Sequence, residues 1–409
     1  MQGVTCPLQP PERTVELGRL RDRVEQRAFD GVQQRALASV DRGLGVHFAS
    51  PSGEDYGRRS GRCQTVRCAI VAGGLVRPAE EKGLSAAHGE APTSTAEVTG
   101  WLAEHGRRAL AVERLAGDVS TRRYFRVRLR GEDRTRIVAV YPAELAAAQR
   151  RFSRAAALLA AAGVRVPAIE LDDAERGFAL LEDLGPRTLY EAHRGWESCP
   201  AELCSALDAA TAIASLPAVE VAALGSPPLD AELLRRELET TQRVFFAPRG
   251  LDGRELAAAF DELCARLGRA PCVACHRDLM ARNLVPLGDG AVAVLDFQDL
   301  RLGPAAYDFA ALLNDSFFAA AETERAVLAE RGPASSDRHD YRRAVIQRGL
   351  KAVGTFVAFA ERGERRHLPL VAPTLERVVA AASDVPELAD LFGAIGPALR
   401  RAGDEISIC

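Results

Sequence analysis

The chain has 409 residues, 47% of them hydrophobic, and a formal net charge of -3. That length allows two or three domains with a buried core, and the absence of any strongly basic stretch excludes a general nucleic-acid binder. No apolar run reaches the roughly 18 residues of a membrane helix. The first thirty residues hold no continuous apolar core of the signal-peptide kind, so a cytoplasmic location is expected.

Residues 1–95 are rich in Arg, Gly, Ser and Pro and show no sustained period. They read as a disordered extension, or as non-native sequence added by an upstream start, with no assigned function. One helix over 14–39 and one strand over 65–72 are expected within them. From residue 96 the pattern sharpens. A helix over 95–105 is expected, with Thr95 as its N-cap. Strands over 110–115 and 124–129 flank the polar turn Gly117-Asp118-Val119-Ser120-Thr121-Arg122, and a third strand, rich in β-branched residues, covers 136–141. An Ala- and Leu-rich helix over 143–162 ends at Gly163, a good C′ residue. Strands over 164–171 and 178–181 complete a small α+β lobe.

After Gly185-Pro186 the chain turns helical, with helical periodicity over 188–194, 201–215, 230–247 and 253–267, and again from 307 to the C-terminus. The interruption at 283–297 has two apolar runs around Gly288-Asp289-Gly290, a hairpin signal. The expected fold is α+β and two-lobed, with a small antiparallel-sheet lobe over 96–184 and a mainly helical lobe over 185–409.

The chemistry concentrates in His276-Arg277-Asp278-Leu279-Met280-Ala281-Arg282-Asn283 and in Leu295-Asp296-Phe297-Gln298-Asp299 beyond the hairpin. A hairpin brings its ends together, so Asn283 and Asp296 should be neighbours. Three oxygen-bearing side chains then converge, which suits Mg²⁺. Phosphoryl transfer needs such a cation and a carboxylate to take the proton of the attacking hydroxyl. Asp278 is the candidate base, and Asn283 and Asp296 are the candidate metal ligands. His276 and Arg277 are expected to brace the loop. Four fixed positions plus the hairpin match the kinase catalytic-loop signature, so the expected two-lobed fold is protein-kinase-like, with the 96–184 lobe expected to bind the nucleotide and the 185–409 lobe to carry the catalytic loop and the acceptor pocket. A bland reading, in which Asp278 and Asp296 merely cap turns, leaves that combined spacing unexplained.

With Gly303-Pro304 and Tyr307-Asp308 following, the Asp296 block resembles the aminoglycoside phosphotransferase superfamily. Within it, the chain is most similar to bacterial anomeric sugar kinases that phosphorylate N-acetylmuramate and N-acetylglucosamine in cell-wall recycling. Three further stretches resemble that branch. Gly117 to Arg126, which reads GDVSTRRYFR, is similar to its phosphate-loop motif. Leu180-Leu181-Glu182-Asp183-Leu184-Gly185 is similar to its inter-lobe hinge, and Gln347-Arg348-Gly349-Leu350-Lys351-Ala352-Val353-Gly354 to a late helix. The resemblance covers about Val98 to the end. It implies ATP, Mg²⁺ and transfer to the C1 hydroxyl of a free amino sugar, with neither nucleic acid nor membrane as partner.

Ser120 and Thr121, with the backbone around them, are candidates to hold phosphate oxygens. The third strand, Ile137-Val138-Ala139-Val140-Tyr141, lacks the lysine that most kinases place there. The whole chain has only Lys82 and Lys351. Arg122 or Arg123 is expected to supply the missing charge, since guanidinium binds phosphate bidentately. Backbone groups near Glu182 and Leu184 are expected to meet adenine. Gln298 and Asp299 are candidates for the acceptor or the loop, and Asp308 for capping the helix it begins.

The absent lysine keeps a nucleotide-binding regulator without transferase activity as an alternative, but Asp278, Asn283 and Asp296 are all intact. An aminoglycoside, choline or another small alcohol is the alternative acceptor. A protein kinase is disfavoured, because no useful activation segment separates Asp296 from Gly303-Pro304. The nine cysteines read as buried small hydrophobes. Cys272-Val273-Ala274-Cys275-His276 spells a haem-attachment pattern that is rejected, because His276 already belongs to the loop. A zinc site from Cys199, Cys204, Cys272 and Cys275 is disfavoured by their apolar setting.

Overall fold

The computed structural model describes residues 94–115, 122–315, 317–333 and 337–408, all within one compact unit running from Ile70 to Cys409. The helix expected over 14–39, the strand expected over 65–72, and Gly117 to Thr121 of the polar turn lie outside the described residues.

Helix α1 (Thr95–Glu104) is capped by Ser94 and not by Thr95. The Ser94 hydroxyl accepts the Glu97 N–H, and the Glu97 carboxylate reaches back to the Ser94 N–H. This capping box needs an acid three residues after the cap, which only Ser94 has.

Strands β1 (Ala109–Arg114), β2 (Arg123–Leu129), β3 (Arg136–Val140), β4 (Ile169–Asp173) and β5 (Phe178–Glu182) form one antiparallel sheet in the order β1-β2-β3-β5-β4. Side chains alternate between its faces. Phe125, Val127, Leu129, Val138, Val140, Phe178 and Leu180 pack on Val98, Trp101 and Leu102 of α1. Ala139, Tyr141, Ala179 and Leu181 face the other way and join the main core with helix α2 (Ala146–Ala161). The helix expected from 143 begins as a 3-10 turn, Ala143–Leu145, and ends before Gly163, whose φ of +79° suits the left-handed C′ position. The strand expected over 164–171 forms only from Ile169 onward. Pro167 has no N–H for a ladder. The Arg165 carbonyl instead accepts the Val294 N–H at 2.7 Å and joins the two lobes.

The helical lobe contains α3 (Pro200–Ala214), α4 (Ala231–Glu237), α5 (Arg254–Leu267), α6 (Tyr307–Asn314), α7 (Ala321–Arg331), α8 (Arg338–Glu361), α9 (Val371–Ala382) and α10 (Pro386–Ile408). Two short antiparallel pairs interrupt it. Strand β6 (Cys272–Cys275) pairs with β9 (Arg301–Pro304), and β7 (Leu284–Pro286) pairs with β8 (Val292–Val294). The helix expected over 188–194 shrinks to Leu189–Ala192. The one expected over 230–247 breaks after α4 into a short turn, Glu239–Thr241, and a π-helical segment, Gln242–Phe246. Val244, Phe245 and Phe246 are all buried. The backbone there widens from an α-helical to a π-helical turn.

Helix α8 runs through the centre of this lobe. Gly354 lets it approach the segment after α4, since a Cβ there would meet the Thr241 Oγ1 at 2.2 Å. The Thr241 hydroxyl donates to the Leu350 carbonyl at 2.7 Å.

Helix α1 is held chiefly by Trp101, which is fully buried, stacks on Phe178 with ring centroids 5.1 Å apart, and donates its indole N–H to Asp173 at 2.9 Å. Truncating a buried Trp to Ala costs about 3–5 kcal/mol. Trp101→Ala should lower stability by that amount in a denaturant titration. A loss below about 1 kcal/mol would show that α1 is not an anchor of the sheet.

Candidate active site

The loop after β6 is built around Asp308. Its carboxylate accepts the N–H of His276 at 2.7 Å and the N–H of Arg277 at 2.9 Å. The expected capping role does not hold: Asp308 is the second residue of α6, the N-cap is Ala306, and no side chain caps that end. His276 is fully buried. Its Nε2 faces the Leu295 carbonyl at 2.8 Å, so Nε2 carries the hydrogen, and Nδ1 is left to accept the Asp278 N–H at 3.3 Å. Arg277 takes a left-handed φ of 79°. Its guanidinium reaches Glu237 and donates to Asp299 at 2.9 Å. Both residues brace the loop.

Asp278 emerges from this frame with its Oδ1 3.4 Å from the Arg348 guanidinium and 3.5 Å from the Lys351 ammonium, both on α8. Burial pushes its carboxyl up, but the charges of Lys351, Arg277 and Arg348 outweigh that and hold it well below the usual carboxylate range. It is an ionised group with a proton-accepting oxygen to spare.

Asn283 donates its amide to the Asp278 carbonyl at 2.8 Å. That commits the donor end of the side chain and leaves its oxygen for a cation. The hairpin returns as its sequence implies, with the Leu295 N–H bonded to the Asn283 carbonyl at 2.8 Å. Asp296 follows directly, in a left-handed conformation with φ 61°. Burial, with Asp278 nearby, pushes its carboxyl up to about 7, against the Gln298 amide and the Arg122 charge. A buried carboxylate in that condition is short of positive charge, and a divalent ion would relieve it. Among the described residues no group of three or more His, Cys, Asp and Glu side chains is arranged to hold a metal. One carboxylate and one amide oxygen instead match Mg²⁺, which keeps water and phosphate oxygens in its shell. Cys272 is exposed, whereas Cys275 and Cys199 are buried.

A cleft of about 770 Å³ opens between the sheet and the β7–β8 hairpin. Ile137, Leu181, Leu184, Val285 and Leu295 give it apolar lining, and Arg122, Asp296 and Gln298 give it polar lining. Arg122, Tyr124 and Arg126 line it, two residues apart along β2. Arg123 therefore falls on the opposite face with Phe125 and Val127, and is withdrawn as a phosphate contact. Arg122 lies with its guanidinium 6.0 Å from the Tyr141 ring centroid. Ser120 and Thr121 lie outside the described residues.

At the hinge, the Glu182 N–H is already bonded to the Ala168 carbonyl at 2.8 Å, and the Glu182 carboxylate pairs with Arg165. Leu184 is left as the better hinge contact. Asp183, which sequence reasoning did not single out, accepts from Arg126 at 2.6 Å, from Thr135 at 2.6 Å and from the Gly185 N–H at 3.0 Å, and so locks the hinge to β2. Gln298 bonds Asp296 inside the cleft. Asp299 pairs with Arg277 and Arg301, so it serves the loop and not an acceptor. Glu237, Arg348 and Lys351 were also missed. Two signals were present: Lys351 is one of two lysines in the chain, and Arg348 and Lys351 lie in the stretch that resembles a late helix of the family, though neither gave them a role.

A sheet lobe and a helical lobe meeting at a cleft, with Asp296 in its lining and Asp278 and Asn283 on the loop that adjoins Asp296, define a kinase-like phosphotransferase. The model of the phosphotransferase enzyme family matches residues 111–344. The chain is 35% identical over 305 residues to an N-acetylmuramate/N-acetylglucosamine kinase of Pseudomonas aeruginosa, covering 68% of this chain and 87% of that one. It is 31% identical over 302 residues to one of Pseudomonas putida, covering 68% and 85%. Among solved structures, a choline kinase of Streptococcus pneumoniae superposes with a TM-score of 0.51 at 17% identity, covering 72% of this chain and 98% of that one. A macrolide 2'-phosphotransferase type I gives 0.50 at 16%, covering 72% and 99%. The chain belongs to the phosphotransferase enzyme family.

Removing the Asp308 carboxylate would leave two buried N–H groups unpaired, at about 1–3 kcal/mol each, and would release the loop. Asp308→Ala should therefore lose stability in urea and, through misplacement of Asp278, lose about 10²-fold in kcat. A variant with wild-type turnover would remove Asp308 as the loop's anchor.

Proposed function

We propose that this chain is an ATP-dependent sugar kinase that phosphorylates the anomeric C1 hydroxyl of N-acetylmuramate or N-acetylglucosamine, a step in the recycling of cell-wall sugars. The acceptor class follows from the names of the two Pseudomonas relatives. The reaction class rests on one observation above others: Asp278 is held ionised on the loop whose Asn283 adjoins Asp296.

In this reading the adenine lies against Ile137, Leu181, Val285 and Leu295, with Leu184 at its edge, and the phosphates point towards Arg122 and Asp296. Asn283 and Asp296 would hold Mg²⁺, which when bound would neutralise charge on the phosphate oxygens. The sugar hydroxyl gives its proton to the Asp278 carboxylate as its oxygen bonds to the γ-phosphorus. The bond from that phosphorus to the bridging oxygen breaks, and ADP leaves with the electron pair. An anomeric hydroxyl is more acidic than an ordinary alcohol, so it asks little of a carboxylate base. The cleft-facing Arg122 supplies the cation that β3 lacks.

ADP release with Mg-ATP and either sugar tests the reaction. Sugar-dependent release that falls about 10²- to 10⁴-fold in Asp278→Asn is expected. Release with choline or an aminoglycoside but neither sugar would overturn the acceptor. No release with any alcohol would overturn the transferase. Separately, Arg122→Ala should raise the ATP KM by about tenfold, worth one charge-assisted contact, and Arg123→Ala should leave it unchanged. Equal effects from the two would remove Arg122 from its role.

A further inference from the structure

Helix α8 brings an unusual group to the back of Asp278. Lys351 is the only lysine among the described residues, in a chain that otherwise meets its need for cations with arginine. Its side chain is about nine-tenths buried, and its ammonium makes no hydrogen bond. It lies between two carboxylates, 3.4 Å from the Glu237 Oε1 and 3.5 Å from the Asp278 Oδ1. Arg348, three residues earlier and so one turn away, approaches the same Oδ1 at 3.4 Å and also pairs with Asp315 at 3.5 Å. A buried ammonium without hydrogen bonds costs stability, and such groups call for an explanation.

Each of the two carboxylates beside Lys351 has another cation next to it, Arg277 for Glu237 and Arg348 for Asp278. What the two α8 cations share is one oxygen of one residue. With Oδ1 held from behind by both, Oδ2 is the oxygen that remains for a substrate proton. The Lys351 ammonium is itself shut off from the cleft, so it acts through Asp278 and not on the phosphates. Arginine in its place would bring a larger, forked head, where a compact point charge fits between two carboxylates.

We propose that Lys351 is a positioning residue for the transfer step: with Arg348 it fixes Oδ1 of Asp278 and thereby aims Oδ2 at the acceptor hydroxyl. This rests on the assignment of Asp278 as base.

The test is steady-state kinetics on the full chain with Mg-ATP and the sugar, for Lys351→Met, Lys351→Gln and Lys351→Arg. Turnover is expressed per nucleotide-binding site, measured by calorimetry, so that any unfolded fraction drops out. Lys351→Met and Lys351→Gln should each lose about 10²-fold in kcat, with the KM of ATP and of sugar within about threefold of wild type. Lys351→Arg should recover at least about tenfold over Met, because it restores the charge but not the fit. A kcat within threefold of wild type in both neutral variants would overturn the proposal. So would a loss confined to the sugar KM, which would make Lys351 an acceptor contact. If wild type itself shows no sugar-dependent turnover, the sugar-kinase reading fails first; if wild type turns over and the neutral variants match it, only the role of Lys351 falls.

Discussion

Two backbone hydrogen bonds to one carboxylate set the geometry on which everything else in the site depends. Asp308 fixes His276 and Arg277 at the start of the loop. The His276 ring then spans from Leu295 to the Asp278 N–H, so the end of the hairpin and Asp278 are referenced to the same point. The pairing of β6 with β9 places Cys275 opposite Arg301 and closes the frame from the other side. No residue of the Asp–Asn–Asp set is positioned by its own side chain alone.

Behind this frame lies a cluster of buried charge. Glu237 from α4, Asp278 and Arg277 from the loop, Asp299 and Arg301 beyond the hairpin, and Arg348 and Lys351 from α8 interlock through ion pairs. Tyr307 and Gln347 extend it with a hydrogen bond of 2.8 Å. Removing one partner from such a network strands the rest, at about 3–5 kcal/mol for a buried pair. The cluster is therefore weak evidence for high stability. The close contact of Gly354 with Thr241 holds α8 and the chain after α4 at a fixed distance.

The parts of the site that could be read from sequence are local. Asp278, Asn283 and Asp296 sit on a loop and a hairpin whose spacing and glycine-rich turn specify their own geometry. The two-lobed fold was legible for the same reason, since strand alternation and helix periodicity are short-range signals. What escaped was long-range. Arg123 and Arg122 are adjacent in sequence, and only the face of β2 separates them. Asp299 looked like Gln298's companion until Arg277 and Arg301 claimed it. Helix α8 gave little to read, because through its middle it is buried nearly all round, Arg348 and Lys351 included, and no polar stripe marks which side meets the loop. Pro167 and the π-helical segment shifted element ends where propensity alone predicted continuity.

The position of α8 along the chain has a consequence for synthesis. The sheet, the hairpin and Asp296 all precede it, but α8 supplies Val345, Ile346, Leu350 and Val353 to the main core, so the helical lobe cannot pack fully until α8 has emerged. Asp278 acquires its two flanking cations only when residues about seventy positions later have emerged and packed. A product that stops short of α8 would lack that part of the core and leave Asp278 unflanked. The charged surroundings of Asp278 thus arrive late in the making of this protein, together with the packing of the helical lobe.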